Sequence, residues 1–218
     1  MNLFSKIYWA FYPKITTKVV YLQTQICGFN LSDSIVKEKY GLTIKQVDYN
    51  VDSDLQSWCD VMNNSYDDCF YTIDKARKFL KDHPLFKSNK TVLFCCDGIY
   101  CASVSWGGYR ANSIIGGDFR IGVKNEFKKR GLGRMCVEYA FSRLAEEGYK
   151  FGESVITIKR VSSLMLHFSL GFVPRYNMKY VTYRDNLKYI NIIQRIRLTI
   201  MLHKYYKQYR NNLKKKFL

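Results

Sequence analysis

The sequence has no long hydrophobic run, no internal repeat and few prolines, and each absence excludes a class of protein. No stretch of its 218 residues approaches the roughly 20 consecutive apolar residues that a membrane span requires. The first ten residues have neither an uninterrupted apolar core nor a small-residue cleavage site, so we expect no secretory signal. With three prolines and no low-complexity linker, the length suits one domain with appendages.

The seven cysteines form an odd set without a CxxC pair, which favours neither a zinc site nor a disulfide framework. Hydrophobic residues make up 47% and aromatic residues 16% of the chain, enough for a packed core, which excludes a wholly disordered chain. We therefore expect a cytoplasmic globular protein with no metal, whose thiols are reduced and mostly buried.

The net charge of +17 is concentrated at the two ends of the chain. Residues 185–218 contain nine Lys or Arg and one acidic residue, and residues 1–30 contain three Lys and no acidic residue. Such basic flanks predict an anionic partner, which could be a membrane, a nucleic acid or an acidic protein.

Hydrophobic periodicity predicts alternating strands and helices, which is typical of an α/β (α+β) sheet with helices on both faces. Asp97-Gly98 lies between two apolar runs, which is a strong hairpin signal. Thr72 is a plausible N-cap residue. We predict strands at 42–47, 91–96, 100–106, 113–123, 154–159 and 179–184, and helices at 53–66, 73–83, 132–147 and 163–170.

One segment combines the end of a strand, a basic loop and the start of a helix: Val123-Lys124-Asn125-Glu126-Phe127-Lys128-Lys129-Arg130-Gly131-Leu132-Gly133-Arg134. Two glycines allow a ligand to approach the backbone, and the helix N-terminus offers free N–H groups and a positive dipole end. With three adjacent cations, this pattern suits a diphosphate. An ordinary strand-to-helix turn would show the same spacing, and neither common nucleotide-binding signature is present.

These residues resemble the pyrophosphate loop of the GNAT superfamily, whose members transfer acetyl groups from acetyl-CoA. The family's [RQ]-x-x-G-x-[GA] loop appears here as Lys128–Gly133, with Lys128 in place of the usual Arg or Gln, and Val123–Phe127 is similar to its usual lead-in. Downstream, Ser162–Pro174, with Leu170-Gly171-Phe172, resembles the family's helix that ends in Tyr-x-x-x-Gly-Phe. The resemblance covers about residues 42–184 and leaves the two basic ends outside.

The resemblance implies a GNAT-like mixed, mostly antiparallel central sheet with helices on both faces, to which the chain adds a C-terminal basic amphipathic helix. We accordingly divide the chain into an aromatic and basic N-terminal extension (1–41), an acyltransferase domain (42–184) and a basic amphipathic C-terminal helix (185–218).

The resemblance also implies an N-acetyltransferase that moves an acetyl group from acetyl-CoA to a primary amine of a small molecule. In the family, the strand before the loop bonds the pantetheine arm through its backbone, and the loop binds the pyrophosphate. Arg160 stands where an asparagine often bonds the cofactor. The implied cofactor-binding residues are Ile121, Gly122, Val123, Lys128, Lys129, Arg130, Gly131, Leu132, Gly133, Arg134 and Arg160.

Three residues are candidates for proton transfer. His167 stands where the family commonly has a tyrosine that acts as general acid, and a histidine, with an ordinary pKa of about 6.5, suits that task. The alternative is a helix-face histidine packed on the core or facing solvent. Asp118 and Glu153 are the nearest acidic residues for a general base, and the alternative for each is a surface or strand-end carboxylate. Family members that use water chains need no such base.

Residues 187–213 are predicted to form a long basic helix with two apolar stripes on different faces. The helix either docks on the core or, through residues 198–218, makes a peripheral contact with anionic membrane. Nucleic acid is less expected because no recognition motif is present. The alternative function is a non-enzymatic acyl-CoA-binding or interaction module whose basic ends contact membrane, nucleic acid or an acidic protein; a dimer is compatible with either function.

Overall fold

The computed structural model describes residues 19–66, 70–110, 114–157 and 160–174. The chain separates into two compact units, and each is described by itself. The larger unit is Gln25–Glu153, and the smaller unit consists of Met1–Thr24 and Ser154–Leu218. The predicted strand at 179–184 and the predicted C-terminal helix lie outside the described residues.

The described elements follow one another in the order β1 (Val19–Gln25), α1 (Asp33–Tyr40), β2 (Thr43–Gln46), α2 (Asp52–Ser65), α3 (Ile73–Lys81), β3 (Phe86–Cys96), β4 (Ile99–Tyr109), β5 (Ile115–Val123), a 3-10 turn (Asn125–Phe127), α4 (Leu132–Glu146), β6 (Phe151–Thr157), α5 (Val161–Ser169) and β7 (Val173–Pro174).

In the larger unit, strands β2 to β5 form an antiparallel sheet in that order. The predicted hairpin is confirmed: β3 and β4 are joined at Asp97-Gly98, where both residues have positive φ (48° and 80°). A turn whose two central residues both have positive φ matches the right-handed twist of the strands, and Asp-Gly is therefore a hairpin signal. The start of β6 lies beside β5, where the Phe151 N–H donates to the Ile114 carbonyl at 3.1 Å.

Helices cover both faces of this sheet, as alternation along β3 shows. Leu93 belongs to a buried apolar cluster with residues of α2 and α3. Its neighbour Phe94 packs edge-on against Tyr139 of α4. Successive side chains of a strand point to opposite faces, so the two helical layers are on opposite sides. The predicted fold class, a mostly antiparallel sheet with helices on both faces, is confirmed.

Two elements of the first 41 residues were not predicted from the sequence. Helix α1 begins after Ser32, whose hydroxyl accepts from the Ile35 N–H, and ends at Gly41, which has φ +66°. It is held in the larger unit by the buried Val36 and by the Leu31 N–H, which donates to the Ser142 hydroxyl at 2.7 Å. Strand β1 precedes it.

In the smaller unit, β1 pairs with β7 in antiparallel register, with Leu22 opposite Pro174. Helix α5 is followed by Gly171 at φ +84°. Strand β6 begins three residues before the predicted Ser154 and ends at Thr157. None of the helices that the structure describes is both long and apolar enough to cross a membrane.

Candidate functional site

Strand β5 contains a bulge four residues before its end at Val123. Trp106 of β4 is opposite Asp118 and Ser105 is opposite Arg120, so Phe119 is the extra residue. The bulge turns both Phe119 and Arg120 toward α3: the Phe119 ring centre lies 5.8 Å from that of Phe79, and the Arg120 guanidinium carbon lies 4.9 Å from the same ring centre.

The basic loop ends in two residues with left-handed backbone, Lys129 at φ +66° and Gly131 at φ +81°. Helix α4 begins as predicted, and its first backbone bond runs from the Met135 N–H to the Gly131 carbonyl. Within the described residues, the N–H groups of 129–133 donate to no backbone carbonyl. A row of such donors at a helix N-terminus attracts an anion. Gly131 is exposed, with open space where a Cβ would be.

The three cations of this loop have different surroundings. The Lys128 ammonium group bonds the Asn125 side-chain oxygen and lies 3.4 Å from the Ser65 carbonyl. The Arg130 guanidinium donates to the Glu126 carbonyl at 3.3 Å and lies 5.1 Å from the Phe127 ring centre. Lys129 has no hydrogen bond or ion pair within the part of the chain that the structure describes. Among the three cations, Lys129 therefore takes the smallest part in contacts within the loop.

The C-terminal end of α2 holds both β5 and the loop. The Asn64 side-chain oxygen accepts from the Asn125 N–H at 2.7 Å, and the Asn64 carbonyl accepts from the Asn125 side-chain amide at 2.8 Å. The Tyr66 hydroxyl donates to the Ile121 carbonyl. No pattern in the sequence indicates Asn64 and Tyr66 as part of the site, because their partners Asn125 and Ile121 are 61 and 55 residues away in the chain.

Gly122 lies under α2. A Cβ at this position would approach the Met62 methyl carbon to 2.7 Å and the Ser65 hydroxyl to 3.0 Å. The missing side chain thus lets the helix lie close to the strand, which accounts for glycine through packing. The backbone role of Ile121, Gly122 and Val123 toward a cofactor stays a prediction.

The two candidate bases are buried in the larger unit. Asp118 is 8% and Glu153 is 2% exposed, and both take part in polar contacts. The surface or strand-end alternative is wrong for both residues, since both are buried and Asp118 lies within β5 and Glu153 within β6. Their role as base stays a prediction.

His167 and Arg160 belong to the smaller unit. His167 is 1% exposed, its Nδ1 lies 2.7 Å from the Ser163 carbonyl and its ring packs edge-on against Phe172. A carbonyl only accepts, so Nδ1 carries a hydrogen and Nε2 is the atom that can exchange a proton. The solvent-facing alternative is wrong for this histidine, and its catalytic role stays a prediction. Arg160 precedes α5, and its carbonyl accepts from the Leu164 N–H.

The six described cysteines are free thiols, and three of them, Cys59, Cys101 and Cys136, are buried. Burial raises the pKa of the Cys59 and Cys101 thiols to about 11. A thiol with such a pKa is a poor nucleophile at neutral pH. Among the described residues, no three His, Cys, Asp or Glu side chains are grouped as a metal site would require.

No protein-family model matches this sequence, and no curated protein is significantly similar to it. Solved structures do match its fold. A GCN5-related N-acetyltransferase from Kribbella flavida is 15% identical, with a TM-score of 0.50 over 74% of this chain and 56% of the other. A putative acetyltransferase of the GNAT family from Novosphingobium aromaticivorans is 15% identical, with a TM-score of 0.50 over 72% of this chain and 60% of the other.

A Drosophila protein is 13% identical, with a TM-score of 0.51 over 72% of this chain and 47% of the other. The chain therefore spans about half of the length of these solved structures. At such low identity the match concerns the fold alone. The fold is that of the GNAT N-acetyltransferases, which agrees with the resemblance seen in the loop and in the downstream helix.

Proposed function

We propose that the protein is an N-acetyltransferase that moves an acetyl group from acetyl-CoA to a primary amine of a small molecule. The observation that carries this proposal is the loop between β5 and α4, where unpaired backbone N–H groups at 129–133 accompany three cations. A diphosphate suits such a site because its charge is spread over several oxygens that accept hydrogen bonds. In the superfamily that the sequence resembles, this loop binds the CoA pyrophosphate.

When bound, acetyl-CoA supplies a thioester whose acyl carbon is open to attack by an amine. The protein has to hold the two reactants together, accept a proton from the amine and return one to the thiolate that leaves. The backbone of Ile121–Val123 is suited to orient the pantetheine arm, since it continues directly into the loop. Asp118 or Glu153 is the proposed proton acceptor, and Nε2 of His167 is the proposed proton donor.

Calorimetry with CoA on wild type, Gly131→Glu and Gly131→Asn tests the site. Gly131 has left-handed backbone and open space around it, and asparagine adopts that conformation more readily than most residues. The asparagine variant therefore controls for the backbone, whereas glutamate also adds a negative charge where we place an anion. We expect roughly a tenfold or greater loss of affinity for Gly131→Glu beyond that of Gly131→Asn. Equal affinities would refute the site.

A panel of amines with acetyl-CoA separates an enzyme from a binding module. Release of free CoA that depends on an added amine, with acetylated product detected by mass, supports transfer. Binding of acetyl-CoA without acetylation of any amine in a broad panel would instead favour the non-enzymatic interaction module. Asp118→Asn, Glu153→Gln and His167→Phe then identify which residue exchanges the proton.

A further inference from the structure

Arg120 is a half-buried cation for which the described part of the chain provides no carboxylate. Its guanidinium carbon lies 4.9 Å from the Phe79 ring centre and 5.7 Å from the Tyr71 ring centre. Its Nε is inaccessible to solvent and has no hydrogen-bond acceptor among the described residues. Contact with aromatic faces offsets only part of the cost of removing a guanidinium from water, about 0.5–2 kcal/mol.

Other partly buried arginines of the larger unit have carboxylate partners. Arg77 forms ion pairs with Asp52 and Asp74, and Arg143 forms ion pairs with Asp33 and Glu146. Arg120 departs from this pattern although it is similarly shielded. A role in packing alone would be served by an uncharged side chain, so the charge of Arg120 suits an anion that none of the described residues supplies.

Two residues near Arg120, His83 and Arg110, are neutral or positive at neutral pH, although the buried Asp118 lies two residues earlier in β5. His83 packs against Phe119 at 4.5 Å between ring centres, and burial, followed by the charges of Arg120 and Arg110, lowers its pKa to about 4. Arg110 donates to the His83 carbonyl at 3.5 Å. At neutral pH two guanidinium groups thus flank an uncharged imidazole, and their combined field attracts an anion.

Arg120 directly precedes the strand segment Ile121–Val123. If the pyrophosphate lies at the loop, a pantetheine arm that runs back along this segment ends nearest Ile121. Each residue of a strand advances about 3.3 Å, so Arg120 lies about 3 to 10 Å along the strand from the three residues of this segment. An acceptor amine at that end could therefore carry its own charged group to the guanidinium.

We propose that Arg120 binds an oxyanion of the acceptor substrate, a carboxylate or a phosphate, with Tyr71 and Phe79 as the apolar wall beside it. The guanidinium fork matches either group with two parallel hydrogen bonds. The acceptor is then a small amine that carries an anionic group several bonds from its nitrogen. This inference rests on the proposed acetyltransferase function and names its substrate class.

The binding step is tested without acetyl-CoA. The Nε–H resonances of the arginines are recorded by nitrogen-15 NMR, and Arg120 is assigned from the signal that Arg120→Gln lacks. We expect 5-aminopentanoate or 3-aminopropyl phosphate to shift this resonance, and the neutral 5-aminopentanamide not to shift it. Arg77→Gln removes a paired arginine and is the matched control. If neither anion shifts the Arg120 signal, or if the amide shifts it equally, the inference is wrong.

The transfer step is tested by the ratio of kcat/KM for each anionic amine to kcat/KM for the amide. We expect Arg120→Gln to lower this ratio by about 10-fold to 100-fold, the range for a charge-assisted hydrogen bond, and Arg120→Lys to recover part of it. Comparison of kcat/KM for 5-aminopentanoate with kcat/KM for 3-aminopropyl phosphate shows which oxyanion is preferred. Equal losses for anionic and neutral amines would overturn the inference.

The two proposals fail in different ways. If acetyl-CoA does not bind, or no amine is acetylated, the proposed function is wrong, and the NMR titration still reports whether Arg120 binds an oxyanion. If neutral amines are acetylated and neither anion shifts the Arg120 resonance, the proposed function stands and the proposed substrate class is wrong. Thermal unfolding of Arg120→Gln shows whether any loss of activity comes from unfolding.

Discussion

Asn64 and Asn125 are joined by two hydrogen bonds that connect the last turn of α2 to the first residue of the basic loop's 3-10 turn. The preceding residue, Asn63, makes the same kind of pair with Tyr71: its side chain accepts from the Tyr71 N–H at 2.8 Å and donates to the Tyr71 carbonyl at 3.0 Å. Successive asparagines thus anchor two different loops to one helix end.

We expect Asn64→Ala to weaken CoA binding about threefold to tenfold, because one or two hydrogen bonds that order the loop are lost at about 1 kcal/mol each. Asn63→Ala removes a similar pair and is the matched control. Both variants should lose stability, and only Asn64→Ala should lose affinity for CoA. Calorimetry and thermal unfolding of the two variants check this. Equal affinity in both would show that the Asn64–Asn125 pair does not order the site.

Lys129 offers a test of charge that leaves the loop's own contacts in place. It has left-handed backbone, which costs a residue with a Cβ about 1 kcal/mol and which asparagine tolerates better. We expect Lys129→Asn to keep or slightly raise the free energy of unfolding and to weaken CoA binding several-fold, with a smaller dependence of affinity on salt.

Lys128→Gln is the comparison for that variant, since Lys128 already contacts Asn125 and the Ser65 carbonyl. Its loss should affect the stability of the loop more than the Lys129 substitution does. Dissociation constants for CoA at several ionic strengths distinguish the two variants. An identical salt dependence in wild type and Lys129→Asn would show that the Lys129 charge faces no ligand.

Local signals in the sequence predicted those parts of the fold that local chemistry determines. Asp97-Gly98 forms the hairpin turn, the Thr72 hydroxyl accepts from the Lys75 N–H, and Gly131 is the N-cap residue immediately before α4. Each depends on a few adjacent residues. The basic loop is also a pattern of adjacent residues, and it is one of the patterns on which the resemblance to the fold family depends.

Contacts between distant residues were not predicted. The bulge at Phe119 changes which face Arg120 occupies, yet nothing in the strand's own sequence marks it. The bond from Tyr66 to Ile121 depends on how α2 packs over β5. Helix α1 is short and polar on most of its surface, so its hydrophobic pattern is weak although Ser32 and Gly41 cap it. Tertiary packing decides these features.

Two glycines of β5 should differ in their tolerance of a methyl group. A Cβ at Gly117 would lie 2.5 Å from the Glu153 carbonyl oxygen, which is backbone, whereas at Gly122 it would meet the mobile ends of Met62 and Ser65. We expect Gly117→Ala to lower the free energy of unfolding by about 3 kcal/mol and Gly122→Ala by about 1 kcal/mol, the range for overpacking. Urea unfolding of both variants measures the difference. Similar losses would mean that β5 and β6 separate easily at Gly117.

The pKa of His83 predicts how stability depends on pH. Burial and the nearby charges of Arg120 and Arg110 lower this pKa to about 4, whereas an unfolded histidine titrates near 6.5. Between these values the unfolded chain binds a proton at His83 that the folded chain does not bind. The free energy of unfolding therefore falls as the pH falls from about 6.5 to about 4, and His83 contributes no pH dependence above that window.

The full shift from about 6.5 to about 4 would be worth at most about 3.5 kcal/mol, since each pKa unit corresponds to about 1.4 kcal/mol. His83→Asn cannot titrate, and its side-chain oxygen can still accept from the Leu85 N–H as Nδ1 does at 3.3 Å. We expect urea unfolding of wild type and His83→Asn to give stabilities whose difference is constant from pH 7.5 to 6.5 and shifts steadily against the wild type toward pH 4.5. A difference that stays constant to pH 4.5 would show that His83 is protonated in the folded chain as readily as in the unfolded one, so that burial and the two arginines do not keep it uncharged.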